Sequence, residues 1–114
     1  MIVVYGIKEK LNPVKSRLSD VIHGCMKSIL GMPEDKRAHR FIPLDKEDFY
    51  YPGGRSDAYT VIEINMMAGR KVETQKSLIK SLFKDIGNRP AKSSFHRAQS
   101  RYLSVHLKIS GHLL

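Results

Sequence analysis

A single cysteine, Cys25, stands in the 114 residues, so no disulfide can close within the chain. That usage fits a reducing compartment. No apolar run approaches the length of a bilayer span, and the chain does not open with a basic stretch followed by an apolar run of signal length. A soluble, cytoplasmic protein without membrane attachment is expected. His23, His39, His96, His106 and His112 stand at no metal-ligand spacing with Cys25 or the carboxylates, so neither a zinc site nor any other metal is expected. Gly53-Gly54-Arg55 lacks the residues and context of a phosphate loop. Acidic residues are missing altogether from positions 88–114.

What is present describes one modest domain. Apolar residues make up 41% and charged residues 27%, an ordinary soluble composition. A core of this size is marginal alone, which favours oligomer formation. The net charge of +9 invites a nucleic-acid reading, but residues 1–87 carry 15 Lys+Arg against 11 Asp+Glu. Over half of the excess belongs to Arg89, Lys92, Arg97, Arg101 and Lys108, so a nucleic-acid partner is not expected, and polyanion binding through this tail stays an alternative. Lys76, Lys80 and Lys84 read as a solvated helix face. No RNA-binding motif surrounds Phe49-Tyr50-Tyr51, which read as loop packing or a subunit contact.

Along the chain, residues 1–7 form a nearly unbroken apolar run, as a buried central strand requires. Asn12-Pro13 predicts a helix start, with Asn12 as N-cap. Leu18, Val21, Ile22, Cys25, Ile29 and Leu30 supply its buried stripe, with His23 placed off it, and Gly31 ends it. Cys25 reads as a small buried hydrophobe. His39 to Leu44 predicts a short strand at an edge or ending at Pro43. A loop or hairpin follows to Ser56.

The stretch 58–86 carries the main signal. Thr60, Ile62, Ile64 and Met66 alternate with Val61, Glu63, Asn65 and Met67 at strand period, and Val72, Leu78, Ile79, Leu82, Phe83 and Ile86 then recur at helical spacing. Gly69 lets the chain turn sharply between them. The following helix start has unpaired N–H groups, and Arg70 adds a fork suited to a carboxylate. An anion pocket is expected there. Leu103, Val105, Leu107 and Ile109 predict a fourth strand, although Phe95, Ala98, Tyr102, Val105 and Ile109 also fit a helix.

Strand–helix–strand followed by strand–helix is a duplicated architecture, predicting a two-layer α/β sandwich (α+β) with two helices on one face of one sheet. Strand, Gly69-Arg70, then a helix with Glu73, Lys76 and Leu78 resembles the signature segment of the tautomerase superfamily, which includes 4-oxalocrotonate tautomerase-like proteins. Gly31-Met32-Pro33-Glu34-Asp35-Lys36-Arg37 resembles the turn after the first helix in the branch with two fused β-α-β units, which includes malonate semialdehyde decarboxylase. Gly54-Arg55-Ser56 resembles a segment leading into that branch's third strand.

The resemblance covers residues 1–87 and sets residues 88–114 apart as a basic segment, the fourth strand plus a tail. It implies a homotrimer that binds a small keto or enol carboxylate, with weak isomerase or decarboxylase activity and no cofactor. Arg70 would anchor the carboxylate, assisted by Arg55 or Arg40, with His39 as a second anion contact or proton-transfer group. Asp35 would orient a water or shuttle a proton. The family's base is an amino-terminal proline; here Met1 precedes Ile2, so the Met1 α-amine becomes the candidate base. A non-catalytic binding or scaffold protein on the same fold is the alternative.

Overall fold

Strand β1, Ile2–Ile7, runs through the middle of the protein and is buried at five of its six positions, as its unbroken apolar sequence demands. The structure is a computed structural model that describes residues 1–67, 69, 71–86 and 103–110. After β1 come a helical turn α1, Lys8–Leu11, a 3-10 turn over Asn12–Val14, and helix α2, Lys15–Leu30. Strand β2, His39–Leu44, a loop, strand β3, Thr60–Met67, helix α3, Val72–Ile86, and strand β4, Leu103–Ser110, complete the order. The tail expected at 88–114 contributes β4; residues 88–102 and 111–114 lie outside the described residues.

The sheet order is β2-β1-β3-β4. β1 pairs parallel with β2, β3 pairs parallel with β4, and the two halves join antiparallel through β1 and β3. Parallel pairing needs a long crossover, and α2 and α3 supply one each. This is the expected pair of β-α-β units sharing one sheet. Alternation does the layering: Ile2, Val4, Ile62, Ile64 and Met66 share the core with Leu18, Ile22 and Met26 of α2 and with Leu78 and Leu82 of α3. Leu103 joins them, with Val105 and Leu107 packed against the cluster, and that alternating burial settles 103–110 as a strand.

Three local expectations are corrected. Asn12 is not an N-cap, because the chain is already helical at Lys8 and Asn12 has helical angles (φ −56°, ψ −42°). Pro13 lacks an N–H, and its ring collides with the carbonyl four residues back, so the path tightens there into a 3-10 turn before α2 resumes. Val72 belongs to no buried stripe; it opens α3 and is 60% exposed. His23, placed off the stripe of α2, is instead buried. Gly31 ends α2 as expected, at φ 68°, its N–H donating to the Lys27 carbonyl at 3.0 Å. Among the described residues no helix is long and apolar enough to cross a membrane.

Candidate functional site

Topology brings one set of segments to one end of the sheet. Because β1 is parallel to β2 and antiparallel to β3, the first residues of β1 and β2 lie beside the last residues of β3. The α2–β2 connection, which carries Asp35, enters at that end, and the chain leaves β3 there through Gly69. Gly69 has φ 110°, so the predicted sharp bend is present. Arg70 lies outside the described residues.

Met1 anchors this end. Its α-amine donates to the Asn65 carbonyl at 3.3 Å, and the Asn65 N–H returns a bond to the Met1 carbonyl at 2.9 Å. Arg40 sits in register with Val3, so strand alternation places it on the sheet face away from the helices. There its Nη1 lies 2.7 Å from Met1 Sδ, and Arg40 remains exposed.

His39 pairs with Ile2 and therefore faces the helix layer, opposite to Arg40. Its Nδ1 is 2.7 Å from Ser19 Oγ, and its ring meets His23 edge-on at a centroid distance of 6.0 Å. Burial, then the charges of Arg37, His23 and the N-terminal amine, push its pKa down to about 4. At neutral pH it offers a hydrogen bond rather than a positive charge. Ser19, His39 and Arg37 line one shallow cavity, where Arg37 donates from Nη1 to Asp20 Oδ1 at 2.8 Å and to Ser19 Oγ at 3.3 Å.

Asp35 occupies a turn in which Lys36 N–H donates to the Pro33 carbonyl at 3.1 Å. It is exposed, and among the described residues nothing hydrogen-bonds its carboxylate. Met1, Asp35, His39 and Arg40 thus share one end of the fold. Arg55 does not join them within the chain. It precedes Tyr59, beyond the Tyr5–Val61 pair, so the length of β1 separates it from Met1 by about 20 Å. Its Cζ lies 6.0 Å from the Tyr59 ring centre, and Tyr59 stacks on Tyr51, which meets Phe49. Phe49 and Tyr51 thus pack on one another and on Tyr59 within the chain, while Tyr50 is 90% exposed.

Two residues outside the predicted set also meet this end of the sheet. His23 belongs to the row Ser19, His23, Met26 and Leu30 at helical spacing, a signal that its polarity masked. Asn65 sits on the mixed face of β3 and meets Met1 chiefly through its backbone, its side-chain amide donating to the Met1 carbonyl at a longer 3.5 Å. Cys25 behaves as expected of a buried hydrophobe: burial pushes its thiol up, Ser81 Oγ donates to it at 3.2 Å, and Sγ donates to Asp85 Oδ2 at 3.4 Å.

The family described as tautomerase enzyme matches residues 36–94. The FG41 malonate semialdehyde decarboxylase inhibited by 3-bromopropiolate shares the fold with a TM-score of 0.75 at 18% identity, covering 96% of this chain and 81% of that one. A second malonate semialdehyde decarboxylase, solved as wild type, mutant and inactivated enzyme, aligns with a TM-score of 0.73 at 13% identity over 100% of this chain and 88% of its own. A native fused 4-OT gives 0.73 at 19% identity, covering 96% and 85%.

Proposed function

Because this chain belongs to the tautomerase enzyme family, we propose that it binds a small keto or enol carboxylate and acts on it as a weak isomerase or decarboxylase. The observation that carries the reading is the convergence, at one end of the sheet, of the Met1 amine, Arg40, the Asp35 turn and the Gly69 bend into α3. Arg70 follows that bend in sequence and would anchor the carboxylate, with Arg40 assisting from the open face. In a ketonisation the Met1 amine takes the enol hydroxyl proton as the C=O forms, and a proton is delivered to the adjacent carbon. Asp35 orients water or shuttles that proton. Atoms are conserved, and no redox partner or cofactor is required. His39, neutral near pH 7, would serve as a hydrogen-bonding or proton-transfer group.

A fused 4-OT has been solved as a symmetric trimer and another as an asymmetric one. A homotrimer is the matching proposal here. It gives Arg55 its place: Nε is buried with no hydrogen-bond partner among the described residues, a situation costing about 1–3 kcal/mol unless a neighbour answers it. Only from an adjoining subunit would Arg55 reach a carboxylate at the Met1 end. A reducing cytoplasmic location completes the proposal.

The test is ketonisation of phenylenolpyruvate, followed by absorbance, for the parent and Arg70→Ala. A large loss of turnover is expected in the variant, and equal rates sink the catalytic reading. The Met1 amine is engaged by the Asn65 carbonyl, which favours a binding protein as the second reading. Calorimetric binding of the acid without turnover selects it.

A further inference from the structure

Among the described residues His23 is the one charged or strongly polar side chain in the core, at 2% exposure. A polar ring so deeply placed needs a partner, and its Nε2 lies 3.1 Å from the backbone carbonyl oxygen of Glu34. A carbonyl only accepts, so Nε2 carries the proton and donates it. Glu34 and Asp35 are the two central residues of the Pro33–Lys36 turn. The same peptide is held from the surface as well, because Lys27, one helical turn beyond His23, pairs with the Glu34 carboxylate. The His39 ring packs edge-on against His23 from β2. Arg37 leans on Ser19 and Asp20 of α2 just beyond.

We propose that His23 is a positioning residue: its buried N–H fixes the Glu34 carbonyl, and with it the peptide bond that carries Asp35, at the end of the sheet where Met1 begins. The Asp35 carboxylate, exposed and without a hydrogen bond of its own among the described residues, is aimed by its backbone alone. The helix layer therefore sets where the carboxylate stands, while the carboxylate meets the ligand. This rests on the reading of Asp35 as a group that touches the substrate.

Amide hydrogen exchange tests the holding role without any ligand. In His23→Leu the amide of Lys36, which donates to the Pro33 carbonyl, should exchange at least tenfold faster while those of β1 and β3 stay protected. His23→Gln, whose side-chain amide can still donate, should restore the slow rate. Unchanged exchange at Lys36 in a folded Leu variant overturns the proposal. With phenylenolpyruvate, His23→Leu should lower kcat about as far as Asp35→Asn, and the double variant no further than Asp35→Asn alone. Additive losses place His23 outside any action through Asp35 and overturn it too. A parent protein that does not turn over the acid defeats the functional reading, and exchange then decides the role of His23 by itself. Should the Leu variant fail to fold, the imidazole nitrogen spectrum of the parent decides: a proton on Nε2 supports the assignment, and one on Nδ1 overturns it.

Discussion

His39 shows how one residue's surroundings reverse its chemistry. In solution an imidazole near pKa 6.5 is half-charged at mildly acidic pH; here burial and neighbouring positive groups hold it down to about 4. Between those values the unfolded chain binds a proton that the native protein does not. Native stability therefore falls as pH drops from about 6.5 toward about 4, and it flattens below. Urea midpoints measured across that window should decline in the parent and decline less in His39→Gln. Parallel curves for the two proteins would show that His39 does not titrate this way. Its neighbour Arg40 faces the other side of the sheet, so adjacent positions in sequence serve different layers.

Elements are defined at their ends as much as along their lengths. Gly31 closes α2 at φ 68°, and a Cβ built there would touch nothing within 4 Å. Only the backbone resists a side chain at that position, so Gly31→Ala should cost about 1 kcal/mol, with Gly31→Asn costing less. Urea unfolding reads this directly, and equal stability of the Ala variant would contradict the left-handed cap. Gly69 performs the matching turn into α3. Both glycines were legible from the sequence because they interrupt periodic patterns. The start of the first helix was not, since an Asn-Pro pair signals a cap only when the preceding residues are not already helical. The period of β4 was ambiguous for a different reason: its apolar residues satisfy two spacings at once. Pairing with β3 from Thr60–Leu103 to Met67–Ser110 chooses between them.

At the scale of the whole molecule, a four-stranded sheet covered by helices on one face leaves the other to be met by loops or by further copies. Tyr5 and Glu63 lie on that face, the phenol donating to the carboxylate at 3.0 Å, which raises the phenol's pKa. If the trimer proposal holds, sedimentation velocity should give one species at three times 13.0 kDa, and Arg55→Ala should weaken it. A monomer at micromolar concentration would remove the subunit role given to Arg55.

The residue pattern alone determined the periods of β1, β3 and the two long helices, the glycine bends and the two-unit plan, because these follow from local sterics and from which face must be dry. Placement across the chain was left to the folded protein. That His39 and Arg40 part to opposite faces, that Arg55 stands a strand's length from Met1, and that His23 grips the peptide before Asp35 all depend on strand register and helix crossing. Those are set by contacts between residues distant in sequence, and no local window contains them.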